Sequence, residues 1–385
     1  MGARAIHGSR DRRGREFPHP DGAAIVPRGR GLAHNRTIPG RHAAAAPGAA
    51  AACPRPIPGR APTLIVGLEA STVSTPRIPL LALNTLSPQH QAQIAAAYDL
   101  HYAPTPNDRT QAIATQGGRF RAVLTIGSIG LTAQEIESMP GLELICALGA
   151  GYENIALDAA RARGISVANG AGTNDDCVAD HAFGLLISIV RGLRPLDRLC
   201  REGVWRDAIG LPPNVSGKRL GIFGLGTIGQ KIARRASGFD MQIGYHNRNP
   251  REGVPHQYFS SLRDLAEWCD VLVCATPGGP ATRHAVNADI LDAIGPLGYL
   301  VNIARGSVVD TEALADALRG RRIAGAGLDV YESEPHPPEA LVGLDNIVLT
   351  PHVAGWSPEA VQASVDRFLA NAEGHFAGRG VVSPV

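Results

Sequence analysis

Residues 224–229 read GLGTIG, and three stretches nearer the C-terminus read NIARGSVVD (302–310), GLDVYESEP (327–335) and LTPHVAGWSPE (349–359). The first is Gly-x-Gly-x-x-Gly, set between an apolar run, LGIFG, and a helical run, IGQKIARRA. That is the context in which such glycines receive a dinucleotide. Gly224 permits the tight turn, Gly226 lets the backbone approach a pyrophosphate, and Gly229 lets the helix pack closely on the strand. The phosphate charge then lies over the helix N-terminus, where Leu225, Thr227 and Ile228 fill the intervening positions.

The three later stretches each follow a strand-like run. Ligands of parallel α/β sheets bind outside the carboxyl ends of the strands, so Arg305, Glu334 and His352 are expected to reach one crevice. Their types suit one reaction. Reduction of a ketone by hydride transfer needs a proton for the developing alkoxide, and histidine carries a proton near neutral pH. A carboxylate beside it favours the imidazolium. An arginine holds a substrate carboxylate and polarises the neighbouring carbonyl. Singly, each residue has a plainer reading: a structural Arg–Glu pair, or a core or surface histidine.

An acidic residue about 20 positions past the first glycine hydrogen-bonds the ribose 2′-hydroxyl of NAD. Here that place holds His246, Asn247 and Arg248. Losing the carboxylate and gaining a guanidinium, which grips phosphate in a bidentate fork, favours NADP, with NAD still possible. The plain alternative is that Arg248 is a solvated turn residue.

These residues need a scaffold that alternates strand and helix. IPLLAL opens it near Arg77, and LSPQHQAQIAAAY follows as a helix capped by Ser87 before Pro88. RAVLTIG, LELICALGAG, MQIGYHN, VLVCATP, GYLVNIA, IAGAGLDV and NIVLTPH read as further strands, and LTAQEIESMPG as a helix. The pattern predicts a parallel α/β architecture of two doubly wound sheets. A helical stretch from about Asp175 to Gly203 separates the units, and SPEAVQASVDRFLANAEGHF reads as one amphipathic helix returning to the first. The expected divisions are 75–173 plus 354–385 for substrate and 174–353 for the dinucleotide.

Composition narrows the class. No apolar run approaches the roughly 18 residues of a membrane span. The cysteines Cys53, Cys146, Cys177, Cys200, Cys269 and Cys274 show no ligand spacing, so no metal is expected and the setting reads as cytoplasmic. The net charge of +2 hides an excess of eight positive charges within residues 1–60, so the remainder is acidic and nucleic acid is not the expected partner. Residues 1–74, rich in Arg, Pro, Gly and Ala, are expected to be disordered. They read as a flexible tail, as an Arg-rich targeting peptide, or as upstream sequence translated from an early start. Two lysines (Lys218, Lys231) against 35 arginines suit the third reading.

From about residue 75 onward the chain resembles the D-isomer-specific 2-hydroxyacid dehydrogenases, through GLGTIG, NIARGSVVD, LDVYESEP and TPHVAGWSPE in the family's order. The resemblance implies two Rossmann-like domains, the substrate domain discontinuous. It implies that Arg305 binds the 2-oxoacid, that His352 is the general acid/base and that Glu334 partners it. It further places Asp329 and Ile303 near the nicotinamide carboxamide, and Thr276 and Pro277 on the adenosine side. Ala150 and Gly151, in the GAGY loop, match the turn whose amides hold the substrate carboxylate; Ile126, Gly127 and Ser128 match a second substrate loop. Within the family, YHNRNP and PGGPATRH look most like NADPH-preferring glyoxylate and hydroxypyruvate reductases, commonly homodimers. Thr227 stands where many members carry arginine, which removes one pyrophosphate contact. Two other readings stay open: a reductase of larger 2-oxoacids such as phenylpyruvate, with Trp356 walling an apolar pocket, and a cofactor-sensing binding module of the same fold.

Overall fold

The computed structural model describes residues 77–385, and the readings of residues 1–74 lie outside them. The chain begins with β1 (Pro79–Ala82), α1 (Pro88–Ala97), β2 (Asp99–Tyr102), α2 (Pro106–Gln116), β3 (Ala122–Thr125), α3 (Ala133–Glu137), β4 (Leu144–Ala147), α4 (Leu157–Ala162) and β5 (Ser166–Ala168). Helices α5 (Asp175–Arg191) and α6 (Leu193–Arg201) lead to β6 (Arg219–Phe223), α7 (Thr227–Ser237), β7 (Gln242–His246), β8 (Gln257–Tyr258), α8 (Leu262–Trp268) and β9 (Val271–Cys274). Then come α9 (Ala288–Ile294), β10 (Tyr299–Asn302), α10 (Thr311–Arg319), β11 (Gly325–Leu328), α11 (Glu339–Val342), β12 (Ile347–Leu349) and α12 (Pro358–Phe376).

The strands form two wholly parallel sheets, ordered β2-β1-β3-β4-β5 and β12-β11-β10-β9-β6-β7-β8. In each, the winding reverses once: between β1 and β3, and between β6 and β9. Such reversals open a crevice at the carboxyl ends of the flanking strands.

The strands are apolar at successive positions because both faces of each sheet are covered. On β1, Leu81 packs into one core and Leu80 and Ala82 into the other; on β4 the division is Ile145 and Ala147 against Leu144 and Cys146. Val271 and Val273 of β9 face one side of the larger sheet, and Leu272 and Cys274 the other. This is the period of two that places neighbouring side chains on opposite faces.

Helix α12 starts at Ser357, whose hydroxyl accepts the Ala360 amide, and buries Val365, Phe368 and Ala372 against Leu80, Leu144 and Cys146 of the five-stranded sheet. The chain thus leaves the first sheet, builds the second and returns, so the smaller domain is discontinuous. The last residues follow: Ser383 accepts the Asn169 amide through its carbonyl, and its hydroxyl donates to the Asn169 carbonyl at 2.6 Å.

The single helix expected over 175–203 is two. Gly192 sits at φ 63°, in the left-handed region, and caps α5 before α6 departs in a new direction. Strands β2, β5 and β8 and helix α2 have no counterpart in the sequence expectation. The strands lie at sheet edges, where apolar patterning is weak, and α2 buries only Ala112 and Ile113.

Candidate active site

The glycine loop crosses from β6 into α7. Gly224 has φ 102°, and a Cβ there would run into the Ala275–Thr276 backbone just past β9. A Cβ on Gly229 would collide with the Gly224 carbonyl oxygen, so this glycine sets the contact between helix and strand. Gly226, the N-cap of α7, is exposed, with no heavy atom within 4 Å of where its Cβ would stand. Tight turn, close packing and open approach therefore fall on three different glycines. Thr227 is exposed and Ile228 half-buried at the helix start, while buried Leu225 offers its amide to Asn247 Oδ1 at 2.7 Å.

At the end of β7, His246 lies tilted against Phe223 with 5.7 Å between centroids, and its Nδ1 donates to the Phe259 carbonyl at 2.9 Å. His246 is therefore committed to the fold through one ring nitrogen. Asn247 braces the glycine loop. Arg248 is exposed and, among the described residues, makes no hydrogen bond or ion pair. Arg251 lies beside the same loop, its guanidinium 3.4 Å from the Leu225 carbonyl. Thr276 is half-buried and Pro277 exposed across the β6–β9 crevice.

The His352–Glu334 pair is built at the ends of β11 and β12. His352 Nδ1 lies 2.8 Å from Glu334 Oε2, while Glu334 Oε1 accepts the Tyr331 amide at 2.8 Å. His352 has φ 54°, unusual for a residue with a Cβ. Its amide is held by the Asp329 and Thr350 carbonyls at 2.8 and 3.0 Å, which keep the backbone there. The Glu334 hydrogen bond raises the His352 pKa above the ordinary histidine value, against the opposing effects of burial and of the Arg305 charge. Burial alone would raise the Glu334 carboxyl, but its bonds to His352 and the Tyr331 amide outweigh that and hold it low.

Asp329 is 1% exposed. Its carboxylate accepts the Val353 and Ala354 amides at 2.9 and 2.8 Å and the Thr350 hydroxyl at 2.6 Å. It pins the loop that carries His352. Ile303, 7% exposed, lies just past β10 and is buried in the core beneath the seven-stranded sheet.

Arg305, two residues past Ile303, donates through Nε to Glu153 and through Nη1, at 2.6 Å, to the Ala304 carbonyl. Glu153 belongs to the loop holding Ala150 and Gly151. There the Ala150 carbonyl is fixed by Asn169 Nδ2 at 2.8 Å. Ile126, Gly127 and Ser128 lie alongside, tied to that loop by Asn154, whose amide donates to the Gly127 carbonyl at 3.3 Å and whose Nδ2 donates to the Ser128 carbonyl at 2.9 Å. The fold therefore gathers Arg305, Glu334 and His352 near one another, the charge of Arg305 bearing on both of the others. It sets the Ala150–Gly151 loop against Arg305, with Gly127 beside Gly151 and the Glu153 carboxylate. His246 and Thr276 flank the glycine loop and Arg248 follows two residues after His246, while Gly278, next to Pro277, lies against the Arg305 side chain.

Sequence reasoning misses Glu153, Arg251 and Asn169. Glu153 directly follows GAGY, and its charge beside a glycine turn was a usable signal. Arg251 repeats the charge of Arg248 three residues on. Asn169 carries no sequence signal, because its role depends on the packing of β5. Also unforeseen is His181, on α5, which pairs with the Thr350 hydroxyl at 2.9 Å behind Asp329. Among the described residues no group of three side chains is placed to hold a metal ion.

This arrangement has counterparts among known proteins. Residues 183–354 match the D-isomer specific 2-hydroxyacid dehydrogenase, NAD binding domain. A glyoxylate/hydroxypyruvate reductase of Arabidopsis thaliana is 37% identical over 309 residues, covering 80% of this chain and 99% of the relative. A hydroxyphenylpyruvate reductase of Plectranthus scutellarioides is 39% identical over 71% of this chain and 88% of its own length. The crystal structure of an NADPH-dependent glyoxylate/hydroxypyruvate reductase from Sinorhizobium meliloti, in complex with NADP and malonate, superposes with a TM-score of 0.75 at 36% identity, covering 80% of this chain and 97% of that one. The chain belongs to the D-isomer-specific 2-hydroxyacid dehydrogenase family, oxidoreductases that bind NAD(P) and act on CH–OH donors.

Proposed function

We propose that the protein uses NADPH to reduce a small 2-oxoacid, of the glyoxylate or hydroxypyruvate kind, to the (R)-2-hydroxyacid. The observation that carries this reading is the His352–Glu334 pair lying within the electrostatic reach of Arg305. With Nδ1 held by a carboxylate, Nε2 is the nitrogen that delivers the proton.

With its pyrophosphate over the glycine loop, the cofactor would supply the hydride from its nicotinamide. Arg305 and the amides of Ala150 and Gly151 would hold the substrate carboxylate, with Ile126, Gly127 and Ser128 along its other side. His352 gives its proton to the oxygen of the carbonyl, and Glu334 stabilises the imidazolium before transfer. Asp329 keeps His352 in place and, with Ile303, bounds the nicotinamide end. We assign 75–173 with 354–385 to substrate and 174–353 to the cofactor.

NADP is favoured over NAD by the lack of a carboxylate after β7 and by the two arginines there. Arg248 is free of protein partners among the described residues, and Arg251 reaches the Leu225 carbonyl. The solved relative named as NADPH-dependent supports the same choice. A homodimer suits the exposed Trp205 and Leu211, 68% and 98% accessible, and a cytoplasmic setting suits the free cysteines Cys146, Cys177, Cys200 and Cys274.

The test is cofactor oxidation at 340 nm with glyoxylate, hydroxypyruvate and phenylpyruvate, each against NADPH and NADH. Turnover of the two small acids with NADPH well above NADH is the expected result. Preference for NADH would discard the cofactor assignment. Preference for phenylpyruvate would discard the small substrate, and no turnover with any pair would favour a binding module.

A further inference from the structure

Arg305 and Glu153 come from different sheets. Arg305 stands after β10 of the seven-stranded sheet and Glu153 on the loop after β4 of the five-stranded one, and the two are joined in an ion pair. The position of the Glu153 carboxylate is informative. A Cβ added to Gly127 or to Gly151 would collide with a Glu153 carboxylate oxygen, and one on Gly151 would also meet the Arg305 guanidinium. One negative group thus rests on both glycine-bearing loops while facing the arginine. Local structure holds it there. Asn154, the next residue, ties the two loops together through the Gly127 and Ser128 carbonyls, and Asn169 fixes the Ala150 carbonyl from behind.

We propose that Glu153 is an internal stand-in for the substrate carboxylate: it closes the Arg305 anchor when no oxoacid is bound and is displaced when one binds. This rests on the reading of Arg305 and the two loops as the carboxylate site. An arginine in a cleft needs an anionic partner, and a carboxylate built into the chain supplies one of the same chemistry as the ligand. Displacement is easy because the pair is only partly shielded, with side chains 35% and 41% accessible, and such pairs contribute little. Glu153 is half-open to solvent and has water to turn into. The site so described takes ligands bearing a carboxylate that grips the Arg305 fork better than Glu153 does, and it discriminates against weaker, single-point anions.

The experiment uses the full chain with bound NADP⁺ and titrates it with oxalate, a carboxylate of glyoxylate's size that cannot be reduced, by calorimetry. Wild type is compared with Glu153→Gln, which removes the competing charge, and Glu153→Asp, which draws the carboxylate one methylene back from Arg305. The KM for glyoxylate is measured in parallel. Both variants are expected to bind oxalate about 1.5- to 5-fold more tightly, with KM falling by a similar factor. Tighter binding is a gain that loss of a merely structural contact does not produce. Unchanged or weaker binding in both variants, with wild type binding oxalate and turning over glyoxylate, would overturn the stand-in alone and make Glu153 a residue that orients Arg305. Absence of oxalate binding in all three proteins would overturn it together with the carboxylate site.

Discussion

Glu334 accepts two hydrogen bonds on its two oxygens, one from the Tyr331 amide and one from His352 Nδ1, each at 2.8 Å. The carboxylate is therefore fixed by its own loop before it meets the imidazole. It raises the pKa of His352, so the protonated form persists to higher pH than in an ordinary histidine. In the proposed reaction, reduction consumes that proton. The rate of reduction should be full below the raised pKa and fall as pH climbs through it, while oxidation of the hydroxyacid should rise over the same range. Glu334→Gln removes the charge that raises the pKa and should move both limbs to lower pH. Paired pH–rate profiles in the two directions check this; limbs that stay put in the variant would mean that another group titrates.

His352 itself is the stronger test of the proton donor. Replacement by Gln keeps a side chain able to hydrogen-bond but unable to carry a proton. The expected loss in kcat is about 10²–10⁴-fold, with cofactor affinity preserved because the residue lies away from the glycine loop. Near-normal turnover would assign the acid elsewhere.

The glycine loop separates folding from binding. At Gly229 an added methyl meets the Gly224 carbonyl, and at Gly226 it meets nothing within 4 Å. Gly229→Ala should therefore destabilise the protein by about 1–3 kcal/mol, the usual cost of forcing a methyl into packed structure. Gly226→Ala should cost less than about 1 kcal/mol, mainly through the helix cap, yet weaken NADPH binding, because the open face is where the backbone must approach a pyrophosphate. Thermal melts and cofactor titration of both variants decide it. Equal losses of stability would mean that the space over Gly226 is not reserved for a ligand.

Why some of this is legible in the sequence and some is not comes down to distance along the chain. Val271 to Cys274 and Leu144 to Ala147 announce buried parallel strands because every residue is apolar and both faces are covered. Asp99–Tyr102 is a strand of the same sheet, but it lies at the edge, and its residues DLHY carry no such pattern. The helix break at Gly192 is hidden because glycine within an amphipathic stretch is tolerated as readily as it terminates one. Arg305, Glu334 and His352 are legible as chemistry because their types and their places after strands agree. Glu153 is not, because its meaning depends on an arginine 152 residues away. Asp329 is legible as a site residue through resemblance alone; only the packing shows that its carboxylate is spent on the His352 loop.

Arg248 and Arg251 should differ in kind. Arg248 has no protein partner among the described residues, so its removal costs the fold nothing that the structure shows. Arg248→Ala is expected to raise the KM for NADPH about tenfold, in the range of one charge-assisted hydrogen bond, and to leave NADH nearly untouched. Arg251 also lies against the Leu225 carbonyl in the glycine loop. Arg251→Ala should therefore weaken NADPH more than NADH but impair both. Kinetics with the two cofactors separate the cases; equal effects of Arg248→Ala on both would remove its 2′-phosphate role.

At the opposite end of β6, Arg219 and Asp270 form a pair whose strength can be read from acid unfolding. Arg219 donates to Asp270 from its amide at 3.0 Å and from its guanidinium at 2.9 Å, with the Asp270 side chain 13% accessible. Burial opposes the charge, but these bonds outweigh it and pull the Asp270 carboxyl from 3.8 down to about 2. A depressed folded pKa contributes stability that is fully present above the unfolded value, near 3.8, and is lost as pH falls through about 2. The contribution is about 2 kcal/mol. Asp270→Asn should lose it at neutral pH. The gap to wild type in urea unfolding should hold from pH 7 to about 4 and close below. A gap that is absent at pH 7, or that persists unchanged at pH 2, would mean that the charge of Asp270 does not support the joint between β6 and β9.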